Sequence, residues 1–252
     1  MDLCGAGTAL CELGVPFLVF VLLAAFLGGA AQSTLGFGAG FTTVPALALV
    51  APVLLPGSVL VAMLPLSLVM VLRAHRDLDR RAFARLSLGR FPGILAGVAV
   101  VSALPVRGLT ALIAVILLLA VVASAFGWEL TVTPRREVVA GLLSGVTGTA
   151  AALGGPPLAL LYRGRSGRML RPTLAAVWVT GIVPGLALLG YAGEFTREQA
   201  VAGGTISVAV LAGLGVGVVV VRAVPDVVVR RAVLWWAGLG SVLALGRVLY
   251  GV

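Results

Sequence analysis

The chain has 252 residues, of which 60% are hydrophobic and 11% charged, and its mean hydropathy is +1.16. These values exclude an ordinary soluble domain and leave an integral membrane protein. The net charge of +9 comes from 18 arginines against nine acids; in a chain this apolar, the arginines mark helix ends and headgroup contacts rather than a nucleic-acid surface.

In chain order, a short tail carrying Cys4 and Cys11, read as unpaired thiols, precedes 60 uncharged residues between Glu12 and Arg73. No basic residue precedes that run, so it reads as a retained segment and not as a cleaved signal. At 1.5 Å per residue it amounts to roughly 90 Å of helix, enough for three crossings or for one re-entrant hairpin and one crossing. Breaks are expected at Gly28-Gly29, at Gly36 to Gly40 and at the turn Pro52 to Gly57, with a broken helix over 15–50 and a span over 58–72. The stretch Arg73 to Arg90 is read as a polar loop, and His75 within it as a solvated loop histidine. Spans at 88–106 and 108–127 complete the first half. The second half contains an interrupted segment at 136–162 and spans at 172–192, 199–221 and 229–250. Trp178, Trp235, Trp236 and Tyr250 read as packing or interfacial residues.

If every apolar block crosses once, the arginines divide ten to eight between the two sides, a poor fit to the positive-inside rule. If the block 138–162 instead enters and returns to the same face, 15 arginines gather on the cytoplasmic side and only Arg107, Arg197 and Arg247 lie opposite. That block reads SGVTGTAAALGGPPLAL over 144–160, and Pro156-Pro157 removes two backbone donors and disfavours helix just before it. Irregular backbone at that depth is tolerated only when buried in protein or lining a cavity.

LGGAAQSTLGFGAGFTTVPALAL (27–49) and LSGVTGTAAALGGPPLALLYRG (143–164) align at an offset of 116, with Gly29 against Gly145 and Gly38 against Gly154. Each precedes three apolar spans. The expected fold is therefore all-α: about eight hydrophobic segments in two inverted repeats, 1–127 and 128–252, each a broken-helix hairpin plus three transmembrane helices.

These paired motifs, with the polar turn RAHRDLD after the first, resemble the TauE/SafE sulfite exporter family of bacterial permeases over nearly the whole chain. The second motif, with Gly154-Gly155-Pro156-Pro157, departs from the run of three glycines commonest in that family. The resemblance implies a multi-pass plasma-membrane permease for small sulfur-containing anions such as sulfite or organosulfonates, with export as the direction.

The apolar runs contain no acid or base, so an anion is expected to be held without a buried countercharge, by free N–H groups at broken helix ends and by hydroxyls. The candidate substrate-binding residues are Gln32, Ser33, Thr34, Gly36, Phe37, Gly38, Gly40, Thr42 and Thr43 at the first break, and Thr147, Thr149, Gly154, Gly155 and Pro156 at the second. Arg73 and Arg163 are placed at the entrance. An intramembrane enzyme would need a nucleophile, base or metal cluster, and none is in sight: the chain is read as no enzyme, with no cofactor and no bound metal. Its partners are a small anion and the bilayer, with a homo-oligomer allowed. A non-transporting scaffold, or a permease for an unrelated small anion, is the alternative.

Overall fold

The computed structural model describes residues 14–126, 131–162, 170–220 and 224–250. They form ten α-helices and no strand: α1 (Gly14–Leu35), α2 (Ala39–Val50), α3 (Gly57–Ala74), α4 (Arg80–Ala103), α5 (Val106–Phe126), α6 (Pro134–Ala151), α7 (Gly155–Leu161), α8 (Leu170–Tyr191), α9 (Arg197–Val220) and α10 (Asp226–Tyr250). Seven of these, α1, α3, α4, α5, α8, α9 and α10, are long and apolar enough to cross a membrane. At 1.5 Å per residue α2 is only about 18 Å long and α7 about 10 Å, too short to span a ~30 Å hydrocarbon core. Cys4, Cys11 and Arg163 lie outside the described residues, as does the side chain of His75.

Local chemistry explains where the helices start. Asp79 caps α4 by accepting from the backbone N–H groups of Arg81 and Ala82, and its own N–H donates to Thr173 Oγ1 at 2.9 Å. Thr133 caps α6 by accepting from Arg136, with Pro134 at the first helical position, where its missing donor costs nothing. Two expectations are corrected here. Gly28-Gly29 is not a break but lies inside α1, and the stretch to Arg90 is not a loop throughout, because its last eleven residues belong to α4. The Asp79 cap overrides the charge run: arginines are good helix formers, and polarity alone does not stop a helix.

Helices in lipid gain nothing from burying apolar surface against one another, so close backbone approach at small residues must hold them. Two interfaces do this, α4 on α6 and α1 on α9. In the first, a β-carbon at Gly93 would collide with the carbonyl oxygen of Leu142, one at Gly97 with that of Val146, and one at Gly145 with that of Arg90. In the second, Gly213 abuts the carbonyl of Phe26, Gly217 that of Ala30, and Gly29 that of Val210. The Gly28-Gly29 pair is thus a packing surface. Further packing joins α3 to α8 and α9, α4 to α8, and α5 to α10.

An ion pair ties the start of α6 to its neighbours. Glu137 is buried and accepts from Arg85 Nη1 at 2.8 Å and from the Tyr162 hydroxyl at 2.7 Å. Glu137→Ala is expected to lower stability by about 1–3 kcal/mol, less than the ~3–5 kcal/mol of a fully buried pair broken on one side, because Arg85 is 39% exposed and can rehydrate. Thermal unfolding in detergent would measure the loss, and Glu137→Gln should recover part of it by still accepting from Tyr162.

Candidate functional site

Both helix interruptions border one internal cavity. The first is the three-residue gap between α1 and α2, where Gly36 and Gly38 have φ of 75° and 153°, backbone that a side chain would strain. Gln32 bridges this gap: its Nε2 donates to the Gly36 carbonyl at 3.2 Å and its Oε1 accepts from the Ala39 N–H at 3.1 Å. The amide therefore satisfies one of the donors that open α2. The second interruption spans Ala152 to Gly154, with Ala152 left-handed at φ 54°. Here Thr147 Oγ1 donates to the Leu153 carbonyl at 2.9 Å and Ser144 Oγ to the Gly154 carbonyl at 2.6 Å.

The cavity measures about 60 Å³, room for roughly four to six water molecules at the 10–15 Å³ each requires. Its wall combines Gln32, Phe37, Gly38, Gly40 and Phe41 with Gly148, Ala152, Leu153, Gly154, Gly155 and Pro156. Leu60, Met63 and Ser67 of α3, Trp178 and Ile182 of α8, and Arg90 complete it. Of the residues named from sequence, Gln32, Phe37, Gly38, Gly40, Gly154, Gly155 and Pro156 meet at this wall, whereas Gly36 and the other hydroxyl residues do not. Ser33 and Thr34 donate to the carbonyls of Ala30 and Ala31, and border a separate pocket beside Arg171 and Asp226. Thr42 back-bonds to Gly38 and Ala39, Thr147 to Leu143, and Thr43 and Thr149 are buried elsewhere. Arg73 lies in the last turn of α3, exposed and away from this wall.

Arg90, which is not among the residues expected from the sequence, also lines this cavity, so the wall carries a buried positive charge that the uncharged runs did not lead one to expect. It lies ten residues into α4, about 15 Å along the helix, and is 3% exposed. Its Nη1 donates to Ser144 Oγ at 2.6 Å and to the Ser144 carbonyl at 3.3 Å. Its Nε has no hydrogen-bond partner, and no carboxylate of the described residues pairs with it, the ion pair found there being Arg85–Glu137. Trp178 Nε1, on the same wall, is buried without a partner as well. Glycines make room for the guanidinium: a β-carbon at Gly181 would collide with Nε, and ones at Gly148 and Gly154 would lie 3.1 and 3.0 Å from Nη2 and Nη1. The available sequence signal was Gly89-Arg90 with Gly93 and Gly97 four and eight positions on from Gly89, a close-packing face that carries Arg90 into the protein rather than to the headgroups.

The second break offers an anion less than expected. Pro156 and Pro157 have no N–H, so the opening of α7 is poor in free donors. The positive charge of this site is carried by Arg90, which stays protonated in any protein environment.

A bundle of apolar helices with two interruptions around a charged cavity defines a polytopic membrane transporter. The family model described as "Sulfite exporter TauE/SafE" matches residues 21–243, and the chain belongs to that family. It is accordingly a multi-pass membrane transporter of small anions and not an enzyme; among the described residues no three of His, Cys, Asp and Glu come together as a metal site. No curated protein and no solved structure matches the chain.

Gly181→Ala offers a test that removes no polar group from the chain. Its methyl is expected to displace the Arg90 guanidinium and lower anion flux about tenfold, or ~1.4 kcal/mol; overpacking at a buried side chain costs about 1–3 kcal/mol, so the folded yield should fall with it and flux is compared per folded protein. Flux into proteoliposomes at matched protein content would check it.

Proposed function

We propose that this protein is a plasma-membrane permease of small sulfur-containing anions, sulfite or an organosulfonate, working in the export direction, with the anion held in the cavity between the two helix interruptions against Arg90. The observation that carries this reading is a buried guanidinium without an acidic partner, facing a cavity halfway along a membrane helix. An uncompensated charge at that depth is costly, and ionisable residues in such positions generally mark an ion or substrate pathway. A bound oxyanion would supply the missing charge and accept from the guanidinium fork. Export agrees with the family description and with a negative interior, which drives anions outward by about 2.3 kcal/mol per charge per 100 mV.

The same reading arranges the chain as two inverted repeats, α1 to α5 and α6 to α10. Packing supports it. Leu142 follows Phe26 by 116 positions, as Val146 follows Ala30; Gly213 follows Gly93 by 120, as Gly217 follows Gly97. The glycine contacts of α4 on α6 therefore recur in register as those of α9 on α1. The cavity wall is paired likewise at 116: Gln32 with Gly148, Phe37 with Leu153, Gly38 with Gly154, and Gly40 with Pro156. Met63 and Ile182 each stand two residues before a proline within their helix, Pro65 and Pro184. Such symmetry about a central site is the layout of many secondary transporters. Arg90 breaks it, since the matching position is Val210.

Counterflow of labelled sulfite, and of short alkylsulfonates, in proteoliposomes tests the assignment. Flux competed by sulfur anions supports it. No flux across that panel, with transport of another small anion instead, would replace the substrate class.

A further inference from the structure

The carrier cycle has a step that the anion-site reading leaves open: how the site returns once the anion has left. We propose that this protein is an obligatory anion exchanger, because Arg90 makes reorientation of the empty site slow. The inference rests on the reading of the cavity as an anion site, and goes beyond it in naming the mode of transport.

The guanidinium is surrounded by neutral groups. Its bonded partners among the described residues are the hydroxyl and carbonyl of Ser144, both neutral. Ser144 Oγ is itself committed as a donor to the Gly154 carbonyl, so it cannot rotate to serve another group without exposing the second helix break. Nε has no partner, and neither has Trp178 Nε1 on the same wall. The other polar side chains of the wall are neutral, Ser67 and Gln32, whose amide is already held by the Gly36 carbonyl and the Ala39 N–H, and the remainder is apolar or backbone: Phe37, Phe41, Leu60, Met63, Leu153 and Ile182. Among the described residues no carboxylate stands ready to neutralise the arginine when the anion departs, and Glu137, the buried acid of the neighbouring helix, is already held by Arg85 and Tyr162.

Alternating access requires the site to pass through an occluded state closed to both sides. With an anion aboard, that state holds a compensated pair whose donors are used. Without one, it must enclose a lone cation and at least one further unsatisfied donor in a space for only a few waters, and a charge buried without a partner is strongly disfavoured. The empty carrier is therefore trapped facing whichever side it opened to, and only a second anion releases it. Net efflux without an anion on the far side, the mode that the negative interior drives, is the slow one; exchange is the fast one, and for anions of equal charge its direction is set by the two anion gradients and not by the potential. The repeat partner Val210 supplies no counterpart charge, so the whole asymmetry hangs on one residue.

The test uses the full chain in proteoliposomes loaded with labelled sulfite and diluted into two external buffers, one containing unlabelled sulfite and one only gluconate, with a potassium diffusion potential clamped to zero. Efflux at least tenfold faster into sulfite than into gluconate is expected. Arg90→Lys, which keeps the charge, should keep that ratio at a lower rate, and Arg90→Gln should bring it to about one while leaving only slow residual flux. Equal efflux into both buffers by the unaltered protein overturns exchange and leaves the anion-permease reading standing. A tenfold ratio retained by Arg90→Gln overturns the role given to the arginine. No efflux into either buffer, for sulfite or for the short alkylsulfonates, overturns both the exchange proposal and the sulfur-anion reading beneath it. Size-exclusion profiles of each variant before reconstitution separate loss of flux from loss of fold.

Discussion

Arg90→Gln is expected to lower sulfur-anion flux at saturating protein load by about 100-fold, with a folded yield close to that of the unaltered chain. The magnitude follows from what is removed. Truncating one member of a buried, hydrogen-bonded charge pair typically costs about 2–5 kcal/mol, and ~2.7 kcal/mol corresponds to 100-fold. Glutamine keeps much of the volume but stops short of the position of Nη1, so the bond to Ser144 Oγ is lost; that hydroxyl still donates to the Gly154 carbonyl, and the second break is preserved. The neutral side chain also relieves the empty protein of a buried unpaired cation, and for that reason thermal stability should rise slightly rather than fall. Loss of function with unchanged or higher stability distinguishes a ligand-binding charge from a structural one. Arg90→Lys should be intermediate, because a point charge on a flexible stem does not reproduce the planar fork. Initial rates of labelled sulfite counterflow and thermal unfolding in detergent would establish both halves of the prediction.

The second large effect is expected at the helix interfaces. Gly93→Leu and Gly213→Leu should each abolish accumulation of folded protein, since each places a side chain where a carbonyl oxygen of the facing helix, Leu142 or Phe26, already stands. Overpacking a close interface costs about 1–3 kcal/mol when side chains can yield, and more when backbone must move. Here the obstructing atoms are backbone, so the two helices must separate along their length and lose the van der Waals packing that stands in for the hydrophobic effect in lipid. Gly204→Leu and Gly215→Leu are the matched controls: nothing lies within 4 Å of a β-carbon at either position, and both should be neutral within about 0.5 kcal/mol. Fluorescence-detected size exclusion of the four variants gives the comparison directly. Equal effects at Gly93 and Gly213 would also support the repeat arrangement, in which these positions are equivalent.

Several features could be read from the chain because they depend on composition and local chemistry. Sixty uncharged residues before Arg73 cannot be accommodated in water, and the prolines at 156 and 157 cannot continue the hydrogen-bonding of the helix that ends at Ala151. The glycines at 36 and 38 lie where the backbone takes positive φ, which glycine alone adopts without strain. The motifs that carry the family resemblance are themselves these interruptions, and the family match extends over residues 21–243.

What the chain alone determined about this protein is its medium, its helical class, its family and the two interruptions at Gly36 to Gly38 and before Pro156-Pro157, though not the continuity of α1 through Gly28-Gly29, since each follows from hydropathy, charge or the conformational range of single residues. Tertiary structure decided which polar groups are left over for a ligand. Ser33, Thr34, Thr42 and Thr147 look like ligands as letters, yet each spends its hydroxyl on a carbonyl of its own helix. Arg90 looks like the last residue of a polar loop, yet the cap at Asp79 starts α4 early, the glycine face of that helix turns against α6, and a space left by Gly181 admits the guanidinium to the cavity. Charge is a property of a residue, but whether it is paired depends on which helices meet across 50 or more positions of sequence, here Arg90 with Ser144 and with no acid of the described residues.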